Sequence, residues 1–274
     1  TLKYAIELAK ILGSLHEQGI IHKDIKPHNI LINRELGVVK ITDFGIATKL
    51  VQENRTIASS NLIEGTLAYM SPEQTGRMNR VVDYRTDFYS LGVTLYEMLT
   101  RRLPFNSIDS MELIHSHIAR VPDSPRSLVP SIPQPVSDIV MKLLAKATEN
   151  RYQSANGLIA DLEECLQQWQ STGKIANFPL AQHDVTGVLR LSQRLYGREE
   201  PLATLLTAFD RVSQQATNEI LLVSGYSGIG KTALINEVHK PIARQRGYVI
   251  AGKFDQFHRS IPYSAIIQAF QDLI

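Results

Sequence analysis

Eight consecutive residues, His22-Lys23-Asp24-Ile25-Lys26-Pro27-His28-Asn29, gather a carboxylate, cations and an amide, and Asp43-Phe44-Gly45 follows after one short hairpin-like stretch. The chemistry that needs this set is phosphoryl transfer. Its transition state is stabilised mainly by positioning and by metal and cationic charge, with little covalent work for the protein. Asp24 is the candidate base for an attacking hydroxyl. Lys26 faces the transferring phosphate. Asn29 and Asp43 are oxygen donors of the kind that hold Mg²⁺.

A second set lies far downstream. Gly225-Tyr226-Ser227-Gly228-Ile229-Gly230-Lys231-Thr232 fits the pattern of a glycine-rich loop closed by Lys and a hydroxyl residue. Gly225, Gly228 and Gly230 let backbone N–H groups point inward around phosphate oxygens, and the following helix N-terminus adds positive potential. Lys231 then reaches the β- and γ-phosphates of a nucleoside triphosphate and Thr232 holds Mg²⁺.

These residues need rigid supports, because a metal ligand on a loose loop misplaces the phosphate. Residues 2–18 carry Leu2, Ala5, Ile6, Ala9 and Leu12 at helical spacing, which predicts a buried helix ending near Gly19. Residues 30–32 and 38–41 are β-branched runs around a turn at Glu35-Leu36-Gly37, two small strands that hold Asn29 near Asp43. A long helix begins near Asp87, with Leu91, Leu95 and Met98 on one stripe. A last helix presents Leu158, Leu162, Cys165, Leu166 and Trp169 to the core. The proline-rich stretch from Val121 to Pro135 reads as a loop between helices rather than as a ligand for an SH3-type domain. Around the glycine-rich loop, Ile220-Leu221-Leu222-Val223 predicts a buried strand, residues 232–238 a helix and Tyr248-Val249-Ile250-Ala251 the next strand.

The His-Lys-Asp-Ile-Lys-Pro-His-Asn run, followed by Asp43-Phe44-Gly45, resembles the catalytic and metal-binding loops of eukaryotic-type Ser/Thr protein kinases. The resemblance continues through Gly65-Thr66, Ser71-Pro72-Glu73, Asp87-Phe88-Tyr89-Ser90-Leu91-Gly92 and Arg151. It implies that Thr66 packs against Asp24 and Lys26 and selects a Ser or Thr acceptor, and that Arg151 pairs with Glu73. Lys23 stands where most regulated kinases carry Arg, so a phosphate on Thr56, Ser59 or Ser60 would meet a point charge rather than a bidentate fork. Leu195-Tyr196-Gly197-Arg198-Glu199-Glu200 resembles the Gly-Arg-Glu entry of AAA-like and STAND-type ATPases, where it lies near the adenine.

The fold class implied is a mainly α kinase-like large lobe (α+β), followed by the beginning of an α/β P-loop domain. The kinase large lobe is assigned to residues 1–170, a linker to 171–195 and the ATPase start to 196–274. No glycine-rich lid or strand Lys precedes Thr1, and no acidic Walker B strand appears before Ile274, so the chain reads as a fragment, inactive as a kinase by itself. The combination is similar to cyanobacterial multidomain signalling kinases, which implies sensor and histidine-kinase modules further along the same chain.

Composition narrows the partners. A net charge of +2 over 274 residues argues against a dedicated nucleic-acid or membrane surface. The single cysteine, Cys165, excludes an intrachain disulfide and suits a reducing cytoplasm. No apolar run reaches transmembrane length and no signal peptide opens the chain. His115 and His117 have no nearby Cys or carboxylate to complete a metal set and read as surface helix residues.

Three functions compete. One is a Ser/Thr protein kinase using ATP and Mg²⁺ on a protein substrate, coupled to a regulatory ATPase. Another is a non-catalytic pseudokinase scaffold joined to a nucleotide switch. The third is a stand-alone ATPase with a helical accessory domain. The intact set of Asp24, Asn29 and Asp43 favours the first.

Overall fold

The computed structural model describes residues 1–49, 67–76, 81–185, 197–215, 217–226, 229–238, 242, 249–252 and 263–271. The chain divides into two compact units, Thr1–Ser192 and Gln193–Ile274.

In the first unit, α1 (Leu2–Glu17) forms where the helical apolar spacing predicts it, and Ala5, Ile6, Leu8, Ala9 and Leu12 are all buried. Each such leucine or isoleucine contributes roughly 1.5–3 kcal/mol relative to exposure. The helix stops at Gln18, and Gly19 turns the chain at φ 73°. Strand β1 (Ile20–Ile21) leads into the His22–Asn29 loop, which closes with a 3₁₀ turn at Pro27–Asn29. Strands β2 (Ile30–Asn33) and β3 (Val38–Ile41) pair antiparallel, Ile30 opposite Ile41 and Asn33 opposite Val38. Their turn is built by the Asn33 side chain, whose Oδ1 accepts the Glu35 and Leu36 N–H groups at 3.0 Å each. Strand β4 (Thr48–Lys49) returns to pair with β1.

The centre of the unit is α2 (Arg85–Thr100), buried on every side along its first three turns, as a helix must be when neighbours cover its whole circumference. Around it lie α3 (Ser110–Ala119), α4 (Pro125–Leu128), α5 (Gln134–Leu143) and α6 (Ala155–Thr172). Asp109 caps α3 by accepting the Met111 N–H, Ser154 caps α6 by accepting the Gly157 N–H, and Gly173 ends α6 in the left-handed region. The helices α1 and α6 pack on each other, α2 packs on α5, and α5 on α6. This places one core beneath the loop and the β2–β3 hairpin.

Two expectations change here. Trp169 is 52% exposed, because the last turns of α6 run past the core. His117 is fully buried rather than on the surface, bonded through Nδ1 to the Tyr89 hydroxyl at 3.0 Å. The 121–135 stretch is a loop interrupted by α4, and Pro125 and Ile132 are buried in it.

The second unit contains α7 (Glu199–Gln215), α8 (Lys231–Asn236) and α9 (Ser264–Gln271). The strands expected at 220–223 and 248–251 are not formed among the described residues: 217–226 and 249–252 are irregular. Ile220 is 98% and Leu222 91% exposed. A parallel strand is stable only between hydrogen-bonded neighbours with both faces covered, and no partner strand lies beside these residues among those described. No helix among the described residues is long and apolar enough to cross a membrane.

Candidate active site

The His22–Asn29 loop is fixed from below by one carboxylate. Asp87, buried in the first turn of α2, accepts the His22 N–H at 2.9 Å and the Lys23 N–H at 2.7 Å, and His16 Nε2 lies 2.9 Å away. Lys23 adopts φ 69°, a conformation that costs a non-glycine residue about 1 kcal/mol or more unless its surroundings enforce it. The two N–H bonds to Asp87 supply that enforcement. His22 is set by two contacts: Nδ1 accepts the Asp24 N–H at 3.3 Å, and Nε2 donates to the Thr42 carbonyl at 3.1 Å. This is the neutral tautomer protonated on Nε2.

The candidate chemistry-bearing groups meet above this base. Lys26 Nζ lies 2.7 Å from Asp24 Oδ2, with side-chain exposures of only 16% and 11%. Asn29 Nδ2 donates to the same Oδ2 and to the Asp24 carbonyl, both at 2.9 Å. Asp24 Oδ1 is buried and accepts nothing from the described residues. One carboxylate oxygen is thus held by a cation and an amide while the other stays available.

The donor set also fits Mg²⁺. Asn29 spends its Nδ2 on Asp24, which leaves Oδ1 as an acceptor. Thr42 N–H and Oγ1 both bond the Asn29 carbonyl, at 2.9 and 3.3 Å, so Asp43 follows directly from a residue locked to Asn29. Asp43 sits at φ 65° and its Oδ1 accepts the Gly45 N–H. Phe44 stacks edge-on against His22 at 4.7 Å, tying the two loops together. No cluster of three or more His, Cys, Asp or Glu exists among the described residues. Mg²⁺ needs none, because it takes one or two protein oxygens and completes its shell with water and phosphate.

Ser71, Pro72 and Glu73 form the other wall. Gln74 Nε2 donates to the Lys23 carbonyl at 2.8 Å, linking this segment to the loop. Arg151 meets Glu73 in two parallel bonds of 2.6 and 2.8 Å, and its remaining N–H groups reach the Ala145, Arg85 and Lys146 carbonyls. Burial pushes the Glu73 carboxyl up, yet the Arg151 charge and these hydrogen bonds outweigh it and hold the group below its ordinary value. Thr66, Thr56, Ser59 and Ser60 lie outside the described residues.

In the second unit, Gly225 (φ 154°) and Gly230 (φ 93°) adopt backbone angles that disfavour any side chain. Gly230 leads directly into α8, so Lys231 and Thr232 occupy its first turn. Lys231 Nζ bonds the Gly225 and Tyr226 carbonyls at 2.8 Å each, folding back over the loop. Arg198 donates to the Ile229 carbonyl at 3.2 Å. A cavity of about 350 Å³ opens beside the loop, lined by Arg198, Leu205, Leu221, Val223, Gly230 and Lys231 among others. Gly228 and Ser227 lie outside the described residues.

Residues 1–167 match the protein kinase domain family, and residues 194–274 match the AAA ATPase domain family. The chain belongs to the protein kinase family. Its kinase domain is 44% identical, over 60% of this chain, to a probable serine/threonine-protein kinase of Clostridium perfringens, of which it covers 23%. Against the serine/threonine-protein kinase PrkC of Bacillus subtilis the identity is 37% over 57% of this chain and 24% of that protein. Over its whole length, both domains included, the chain is 35% identical to hybrid signal transduction histidine kinase G of Dictyostelium discoideum. It spans 10% of that relative and about a quarter of the other two.

In this kinase domain the supporting residues were less visible in sequence than the loop they support. Asp87 reads in sequence only as a helix start; once its helix is known to be buried, its carboxylate needs hydrogen-bond donors, and two backbone N–H groups supply them. Gln74 gave no signal at all. Lys146 is a partly buried cation with no sequence signal. Lys146 Nζ donates to the Ser116 carbonyl at 3.2 Å and lies 4.4 Å from the centre of the Phe105 ring. Burial, then the Arg151 charge, pushes its ammonium down to about 7. Burial and the nearby Lys146 push the His117 imidazole down to about 3.

Proposed function

We propose that this chain carries the phosphate-transfer half of a Ser/Thr protein kinase, joined to an ATP-binding regulatory domain. The observation that carries the reading is the state of Asp24: one oxygen bound by the Lys26 cation and the Asn29 amide, the other buried with no hydrogen-bond partner among the described residues. Oδ1 accepts the proton of the substrate hydroxyl as the oxygen attacks. Lys26 offsets the charge of Asp24 and of the incoming phosphate. Asn29 Oδ1 and the Asp43 carboxylate are the donors that would hold Mg²⁺, whose charge would offset that of the ATP phosphates. Thr66 and the Lys26-Pro27 pair support a Ser or Thr acceptor, as does the similarity to bacterial serine/threonine-protein kinases.

The P-loop residues Gly225, Gly228, Gly230, Lys231 and Thr232 hold the phosphates of a second ATP, with Thr232 on Mg²⁺. The adjoining cavity is wide enough for a base and ribose. The match of this whole chain to part of a histidine kinase supports further signalling modules in the same protein. The partner is a protein substrate and the site of action the cytoplasm.

The reading is tested on a longer protein that contains this chain and a kinase small lobe. It should transfer the ATP γ-phosphate to Ser or Thr of a generic acceptor protein, dependent on Mg²⁺. A protein that binds ATP yet transfers nothing under any Mg²⁺ concentration would favour the alternative, a pseudokinase scaffold beside a nucleotide switch.

A further inference from the structure

The segment between the two matched families is not a free tether. After Gly173 the chain runs back along α6, and Ile175, Phe178, Leu180 and Ala181 pack against the kinase core. Asp161, on α6, accepts the Ala181 N–H at 2.8 Å. Asp184 then lands on the start of that helix. Its carboxylate accepts the Gln153 N–H at 2.7 Å, the Ser154 N–H at 2.8 Å and the Ser154 hydroxyl at 2.8 Å. Gly157 makes room for it, since a Cβ there would sit 2.5 Å from Asp184 Oδ1 and 2.7 Å from its Cα.

The residues that Asp184 grips lead to the active site. Gln153 donates its side-chain amide to the Thr148, Glu149 and Arg151 carbonyls, and accepts Arg85 Nη1 at 2.7 Å. Its own carbonyl accepts the Tyr84 hydroxyl. Arg151, two positions before Gln153, holds Glu73. A continuous set of hydrogen bonds therefore runs from Asp184 through Gln153 to the turn that presents Arg151 to Glu73, and from Gln74 to the catalytic loop.

The contact is built to release. Phe178, Leu180 and Asp184 are only partly buried, so few apolar contacts retain the segment. Ala181 holds φ 61°, a conformation that persists only while its surroundings enforce it. Asp184, whose N–H donates to the Ala181 carbonyl, is one of the residues that enforce it.

We propose that residues 175–184 form a releasable strap that governs the order of the 148–154 turn and of segment 67–76, with Asp184 as its positioning residue. Seated, the strap stiffens the 148–154 turn and the Glu73–Arg151 pair. Drawn away, it loosens both. This rests on the kinase reading for its consequence but not for its test, which needs no catalysis.

The test is hydrogen exchange on the 274-residue chain in three forms: unaltered, Asp184→Ala and Gly157→Ala. The second variant keeps the carboxylate and evicts it sterically. Both should raise exchange several-fold in 175–185, in 150–154 and in 67–76, while residues 88–98 of α2 stay protected. Faster trypsin cleavage after Lys174 should accompany it. Release of the strap with unchanged exchange in 67–76 would overturn the coupling. Unchanged exchange in 175–185 in both variants would overturn the strap. Loss of phosphate transfer in the unaltered longer protein would instead count against the kinase reading and leave these exchange results as they are.

Discussion

Arg151 and Glu73 face each other through a bidentate contact with essentially no solvent exposure on either side chain, and every N–H of the guanidinium has an acceptor. The pair is joined by Thr86, whose hydroxyl donates to Glu73 at 2.8 Å, and the guanidinium lies 4.9 Å from the Tyr89 ring centre. Two segments far apart in sequence are therefore held by one charge pair that water cannot replace.

Breaking it should be costly. Arg151→Ala leaves the Glu73 carboxylate buried and unpaired, which costs about 3–5 kcal/mol. Urea unfolding of the variant should show a correspondingly lower midpoint at unchanged slope. The pair also makes stability acid-sensitive. Glu73 is held below its ordinary value of 4.5, so its contribution is fully present above that pH and is lost as pH falls through the depressed value. Arg151→Ala should remove this acid dependence. An unchanged unfolding midpoint at pH 7 would show that the contact contributes nothing.

Lys146 and His117 act with the same sign in other pH windows. The fold holds Lys146 near 7 against an ordinary 10.5, so the unfolded chain binds more protons between those values and stability rises with pH across that window. Lys146→Met should flatten the rise. His117, held near 3 against 6.5, contributes stability above pH 6.5 that is lost as pH falls toward 3. Because the Lys146 charge is one cause of that depression, Lys146→Met should raise the His117 value, as read by NMR titration of the imidazole. Among the described residues, Tyr89, whose hydroxyl bonds His117, Arg151 and Glu73 also bear on this site. An imidazole titration identical in both proteins would refute the coupling.

Asp87→Ala should unseat the catalytic loop without touching its reactive groups. Two backbone N–H groups lose a charged acceptor, at about 1.5–3 kcal/mol each, and Lys23 is freed from φ 69°. Hydrogen exchange of residues 22–29 should accelerate by at least tenfold. Loop protection equal to that of the unaltered chain would mean the loop is fixed by other contacts.

The P-loop prediction concerns binding alone. Lys231→Ala removes a cation that now rests on the Gly225 and Tyr226 carbonyls and that would exchange them for phosphate oxygens. A protein spanning the complete ATPase domain should bind a fluorescent ATP analogue with Mg²⁺, and the variant should bind it at least tenfold more weakly. Equal affinity in both would make the loop a structural turn.

The parts of this molecule legible in its sequence are those whose cause is local. The α1 stripe and the β2–β3 hairpin follow from residue spacing and from the β-branched runs on either side of the Glu35-Leu36-Gly37 turn. The loop carrying Asp24, Lys26 and Asn29 is contiguous, so its groups meet however the rest folds. His117 was illegible because its burial depends on Tyr89 and Lys146, which reach it from other elements. The run at 220–223 looks like a buried strand, but a strand exists only by its neighbours, and none flanks it among the described residues. The 175–184 segment has no period to read; one carboxylate and a few apolar side chains seat it.

The central claim is that Asp24 serves phosphoryl transfer, and the most direct measurement is the rate of γ-phosphate transfer by the longer protein and by its Asp24→Asn variant, alongside their affinity for ATP. A base in this position is worth roughly 10²–10⁴ in rate. The account predicts a loss of that size, with ATP affinity unchanged and the fold intact by circular dichroism. Full transfer activity in Asp24→Asn would contradict it.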